Sequence, residues 1–140
     1  MRIRIILLFF CTLCFIQPAA ATSLDVEAFD AYGKGDYKIA YNKFRTLAKQ
    51  GHARSQFALG MMYDEGIGVQ QDSQEAVKWY IKAAEQGVHE AQFNLGVMYN
   101  KGLGIAQDNK QAVYWYQKAA EQGIEQSQYK LGFMYNKGLG

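Results

Sequence analysis

Past residue 14 the sequence contains no cysteine, because both of its thiols, Cys11 and Cys14, lie near the start. If that start is a leader, thiol catalysis, thiolate metal sites and disulfide staples are excluded together for the rest of the chain. Long apolar runs are missing from the same region. The run from Ile5 to Ile16 is followed by nothing approaching the roughly 20 apolar residues that a spanning helix needs. Charge excess is missing as well. Without Arg2 and Arg4 the 15 basic residues become 13, which equals the 13 acidic ones. A balanced chain exerts no long-range pull on nucleic acid or anionic lipid, so neither is expected as a partner.

Catalytic equipment is scarce. There are two histidines, His52 and His89, in turns before successive units, with no carboxylate pattern recurring beside them. They read as solvated. Neither an H-E-x-x-H nor a G-x-S-x-G motif occurs. Catalysis needs a converging nucleophile, base or metal set. None is visible, so the chain is expected not to be an enzyme and to carry no cofactor or metal.

What is present begins with an address. Arg2 and Arg4, the apolar run, Gln17-Pro18 and then Ala19-Ala20-Ala21 form a secretory signal peptide over residues 1–21, with cleavage expected after Ala21. The run is too short for an uncleaved anchor. A lipoprotein site would need a small residue before the cysteine, and Cys14 follows Leu13. The ending Lys137-Gly138-Leu139-Gly140 is not a retention tetrapeptide. The expected destination is periplasmic or secreted, without a membrane span after cleavage. The 119 residues from Thr22 onward suit one domain.

That domain is repetitive. Ser55–Glu90 aligns with Ala91–Gln126 without a gap, with 20 of 36 positions identical. Ser127–Gly140 aligns with Ala91–Gly104, with 10 of 14 identical. Each unit reads as two helices. Leu95, Met98 and Tyr99 follow helical spacing, and Gly102-Leu103-Gly104 stops that helix. Asp108 with Gln111, and Asp72 with Glu75, read as capping boxes that open the second helix. Its apolar stripe is Ala112, Trp115, Tyr116, Ala119 and Ala120, and Gly87 and Gly123 end the second helices. Gly60, Gly96 and Gly132 fall mid-helix, where glycine costs about 1 kcal/mol against alanine. A cost repeated in every unit implies close helix–helix approach. The Gly-x-Gly stops are not phosphate loops, since the preceding strand and the Lys-Ser/Thr ending are absent. A hairpin whose open face only the next hairpin covers stacks into an all-α superhelix with a concave side.

The run Ala91, Gln92, Leu95, Gly96, Met98, Tyr99, Gly102, Gly104, Ile105, Asp108, Ala112, Trp115, Tyr116, Ala119, Ala120, Glu121, Gln122, Gly123 resembles the Sel1-like repeat, a TPR-like helical hairpin. The resemblance covers about Phe29 to the end. After the signal peptide (1–21) it implies a degenerate N-terminal capping repeat (22–54), Sel1-like repeats at 55–90 and 91–126, and the first helix of an incomplete repeat at 127–140. The degenerate unit keeps Asp36, Ala40, Phe44, Ala48, Gln50 and Gly51 in register, while its first helix, near Leu24 to Tyr32, lacks the Leu-Gly-x-x-Tyr signature.

The resemblance implies protein–protein interaction and scaffolding, as in bacterial envelope, host-interaction, signalling and quality-control roles. The TPR register, in which first helices line the concave side, implies partner-binding positions at Phe57, Met61, Asp64 and Glu65. The equivalents in the next unit are Phe93, Val97, Asn100 and Lys101, and in the last Tyr129, Phe133, Asn136 and Lys137. Aromatic anchors beside amides and lysines suit an extended peptide or a helix in a groove. Each aromatic also has a plain reading as core, and each amide or lysine as a solvated helix end. A β-lactam-binding or weakly hydrolysing cell-wall enzyme is the rival implied by a cysteine-rich subgroup of the family, whose repeats carry cysteine pairs that are absent here. A third expectation concerns the end of the sequence. Leu131, Met134 and Tyr135 would lie without the cover of a second helix, which predicts a fragment, a truncated product or self-association there.

Overall fold

The computed structural model describes residues 18–139, with side chains from residue 23 onward. The basic start and apolar run of the expected leader lie outside the described residues. The described residues form helices α1 (Pro18–Gly33), α2 (Tyr37–Lys49), α3 (Ala53–Glu65), α4 (Ser73–Glu85), α5 (His89–Lys101), α6 (Asn109–Glu121) and α7 (Glu125–Asn136), and no strand. Each helix packs chiefly on its neighbours in sequence. Three hairpins and a seventh helix thus stack as an α-solenoid. Hairpin first helices begin at Ala53, His89 and Glu125, at the 36-residue period of the sequence.

The mid-helix glycines have the packing role expected of them. A Cβ on Gly60 would lie 2.7 Å from the Tyr80 ring, and one on Gly96 would lie 2.7 Å from the Tyr116 ring. Both tyrosines are buried, and each lies flat against its glycine at the centre of its hairpin. Leu59 is buried as well, Met62 packs in one cluster with Phe44 of α2, and Leu95 and Met98 pack in one with Tyr80 of α4, so the core continues from hairpin to hairpin. Each such side chain contributes roughly 1.5–3 kcal/mol over its exposed state. Trp115 packs against the cluster that joins α4 of one hairpin to α5 of the next, which couples adjacent repeats.

The Gly-x-Gly stop also does more than end a helix. Gly102 (φ 68°) caps α5 through its amide on the Met98 carbonyl. Gly104 (φ 66°) then lies against the start of the previous repeat's second helix, where a Cβ would sit 2.3 Å from the Ser73 carbonyl oxygen. Gly68 stands in the same relation to Tyr37, with 2.6 Å to its carbonyl oxygen. The loop is a junction between repeats.

Two expectations need correction. The capping boxes form only their first half. Asp72 Oδ1 accepts from the amides of Gln74 and Glu75 at 3.0 and 3.1 Å, and Asp108 Oδ1 from those of Lys110 and Gln111 at 2.9 and 3.1 Å. The reach-back arm is not needed, because the Asp72 and Asp108 amides donate to the carbonyls of Tyr63 and Tyr99, both at 2.9 Å. Glu75 bonds Lys78 instead. The second correction concerns α7. Met134 is buried, because it packs on Ala112, Val113 and Tyr116 of α6. Leu131 is half-buried and only Tyr135 is open, at 56 % exposure.

A polar ladder joins the repeats along the spine. Gln86 Nε2 donates to the Gly51 carbonyl (3.0 Å) and to Gln56 Oε1 (2.7 Å), and Gln56 Nε2 donates to the Ala48 carbonyl (3.1 Å). One repeat later Gln122 Nε2 donates to the Gly87 carbonyl (3.1 Å) and Gln92 Oε1 (2.8 Å), and Gln92 Nε2 to the Ala84 carbonyl (3.1 Å). Gln56 and Gln92 are buried, so their amides need these partners.

Candidate functional site

Of the twelve residues expected to face a partner, Phe57, Met61 and Phe93 come together. They wall a depression of about 480 Å³ with His89, Glu90, Asn94, Ile124 and Gln126. Phe57 and Phe93 are half-buried because one side of each ring rests on the tyrosine of the following helix. The centroid distances are 5.9 Å for Phe57 to Tyr80 and 5.8 Å for Phe93 to Tyr116. Core and groove are therefore not alternatives for these two rings. Burial pushes the Tyr116 hydroxyl up to about 12. Burial, then the nearby Asp64 carboxylate, raises that of Tyr80 further. Both phenols stay protonated and serve as packing surfaces.

The other expected residues are elsewhere. Val97 packs into the last core cluster beside Met134 and Tyr116. Tyr129 and Phe133 lie exposed on α7. Asp64, Glu65, Asn100, Lys101, Asn136 and Lys137 sit at the C-terminal ends of their helices, about 10 Å along the axis from the aromatic anchors at 1.5 Å per residue. Asp64 accepts from the Tyr80 hydroxyl at 3.4 Å, and the Asn100 amide donates to Asn109 Oδ1 at 3.2 Å. Both side chains are thus engaged inside the fold. Lys137 lies over Phe133 of its own helix, 5.9 Å from the ring centroid.

The depression continues where sequence reasoning did not look. A second one, of about 420 Å³, shares Phe57, His89 and Glu90 with the first and adds Phe29, Arg54 and Val88. A third, of about 520 Å³, shares Phe29 and Arg54 and adds Asp25, Val26 and Asp30. Shared walls make these one trough across α1, α3 and α5 to the start of α7. The α1 residues were missed because α1 lacks the Leu-Gly-x-x-Tyr motif that sets the register. Arg54, His89 and Glu90 were legible, since they precede Phe57 and Phe93 by three or four residues, the spacing of one helix face.

Three arrangements bear on catalysis. His52 is not simply solvated. Its Nδ1 lies 3.3 Å from Asp25 Oδ2, while the Ser55 hydroxyl donates to Asp25 Oδ1 at 2.9 Å. Serine, histidine and aspartate meet, but both of the others engage the carboxylate, so no base is set on the serine. The trio ties α1 to α3. The spacing Ser127-Gln128-Tyr129-Lys130 matches the serine–lysine motif of acyl-transfer enzymes. Ser127 is 0 % exposed and its hydroxyl has no hydrogen-bond partner, so neither substrate nor base reaches it. Among the described residues no group of three or more His, Cys, Asp or Glu is placed to hold a metal ion. No described helix is long and apolar enough to cross a membrane.

The Sel1 repeat family signature matches residues 53–88, 89–124 and 125–140. The chain belongs to the Sel1 repeat family. Sel1-like repeat proteins generally mediate protein–protein interaction, typically as non-enzymatic scaffolds. The structure is similar to that of a Sel1 repeat protein from Oxalobacter formigenes, with TM-score 0.79, 32 % identity, and coverage of 89 % of this chain and 54 % of that one. It is also similar to a protective antigen of uropathogenic Escherichia coli strains displaying an SLR fold, with TM-score 0.80, 39 % identity, and coverage of 87 % and 28 %. Among curated proteins, an exopolysaccharide production negative regulator of Rhizobium leguminosarum bv. viciae is 43 % identical over 56 residues, 40 % of this chain and 21 % of that protein. This Sel1 repeat chain thus spans about half or less of the length of these relatives. Its trough fits the family's general role. Apolar walls, half-buried rings and a few polar groups on rigid helices can bind a chain segment without performing chemistry on it.

Proposed function

We propose that the protein is an exported adaptor whose concave trough holds a segment of a protein partner in the cell envelope. The observation that carries the reading is the run of Phe29, Phe57 and Phe93 along one continuous depression. Successive first helices each present one ring there, in a setting where large rigid side chains bind at low entropic cost. The basic start, apolar run and Ala19-Ala20-Ala21 support export.

Two measurements test the parts separately. N-terminal sequencing of protein recovered from the periplasm or medium should begin at Thr22. A start at Met1, or retention in the cytoplasm, removes the envelope from the proposal. Affinity capture from envelope extract should then retain a partner that Phe93→Ala loses and Tyr114→Ala keeps. Tyr114 is 46 % exposed on α6 and lines none of the three depressions, so it controls for aromatic surface elsewhere. Equal thermal melts of the two variants make the comparison valid. A partner kept by both, or lost by both, argues against the trough.

A further inference from the structure

Five side chains of the trough can carry charge, and four of them face a partner within the fold. Asp25 faces His52 at 3.3 Å, Asp30 bonds Lys34 at 2.6 Å, and His89 faces Glu90 at 3.3 Å. Arg54 is the fifth, and no ion pair engages it among the described residues. Its guanidinium lies 5.9 Å from the Phe29 ring centroid, over the ring, and lines two of the three depressions. It also stands in the first turn of α3, which contains no acidic residue. That is the end of a helix where a cation is least favoured and an anion most favoured. A planar cation held on an aromatic ring, between apolar hollows, is built to meet a carboxylate.

We propose, building on the groove reading, that the trough takes an extended segment whose acidic side chain meets Arg54, with large apolar side chains to either side of it. The acid belongs to a side chain within the segment rather than to a chain end, because the trough continues past Arg54 in both directions. Val26 and Phe29 wall one side, and Phe57, Met61 and Phe93 the other. The overall charge balance of the chain supplies no general attraction, so recognition of the acid falls to this one guanidinium.

An array of decapeptides with acetylated and amidated ends, probed with the protein expressed from the full sequence, tests this. The expected winners carry a central Glu or Asp with aliphatic or aromatic residues on both sides. Changing that Glu to Gln should weaken binding about fivefold, the order expected of one partly exposed ion pair. Arg54→Gln should bring the Glu peptide down to the level of the Gln peptide and leave the Gln peptide within about twofold of its wild-type value. Arg54→Glu should shift preference to a Lys peptide, with far-UV circular dichroism showing both variants folded. Apolar peptides bound without acid preference, or an acid preference that survives Arg54→Gln, overturn the role of Arg54 and leave the groove reading standing. If no peptide is retained, both fall.

Discussion

Gly96→Ala should destabilise the protein by about 1 kcal/mol net, whereas the same change one repeat later, Gly132→Ala, should stabilise it by about 0.5–1 kcal/mol. The two positions are equivalent in sequence, and both are helix interiors where alanine is intrinsically favoured. At Gly96 the new Cβ would lie 2.7 Å from Cδ1 and Cε1 of Tyr116. That ring is 1 % exposed and also carries Phe93 on it, so it has no free direction in which to move. Overpacking of this kind costs about 1–3 kcal/mol, which outweighs the propensity gain of about 1 kcal/mol only if the ring is rigidly held. At Gly132 nothing lies within 4 Å of the added atom, and the propensity term acts alone. Urea denaturation followed by circular dichroism gives both midpoints. Midpoints that move in the same direction would show that the ring–glycine contact does not decide the spacing of the hairpin.

That contrast also separates what the sequence discloses from what it does not. The hairpins were legible because every level of the pattern agreed: helical spacing of Leu95, Met98 and Tyr99, an aspartate before each second helix, and glycine after each. The repeated glycine cost told of close approach even before the tyrosine was known to fill it. Position on the concave side was less legible. A register carried by Leu-Gly-x-x-Tyr assigns a face but not a depth along the helix. It therefore placed Asp64, Asn100 and Lys101 beside Phe57 and Phe93, when helix length puts them at the other end. Single residues also carry two roles that a sequence shows as one. Phe93 packs on Tyr116 and lines the trough, and Val97, two residues before Tyr99, is partly buried against the last core cluster. Pairings across repeats are the least legible. The link from Asp25 to His52 and Ser55 joins residues about 30 positions apart, and no local rule brings them together.

Gln92→Leu should cost about 2 kcal/mol and loosen the coupling between the two complete repeats, while Gln128→Leu should change stability by less than about 0.5 kcal/mol. Gln92 is 5 % exposed, and leucine is close to it in volume, so lost packing is not the main term. The loss is polar. Gln92 Nε2 holds the carbonyl of Ala84, itself 2 % exposed, and Gln92 Oε1 receives Gln122 from the end of its own hairpin. Leucine removes one donor from the buried Ala84 oxygen, which keeps the Gly87 amide at 3.0 Å, and removes the acceptor of Gln122; two hydrogen bonds at about 1 kcal/mol each account for the loss. Gln128 has the same place in its repeat but is exposed, so solvent replaces whatever it bonds. The ladder reaches from one repeat into the next, through Gly51 and Gly87 as well as Ala48 and Ala84. In a solenoid, stability is the sum of repeat terms and junction terms, and cooperativity depends on the junctions. Trp79 stands in α4 and Trp115 in α6, one in each of the two hairpins that Gln92 links. In wild type, tryptophan fluorescence and circular dichroism should report one unfolding transition. In Gln92→Leu the two signals should separate as well as shift. A variant that unfolds at a lower midpoint with coincident signals would leave the glutamine a stabilising contact but not a coupling one. An unshifted midpoint would mean that the ladder contributes nothing.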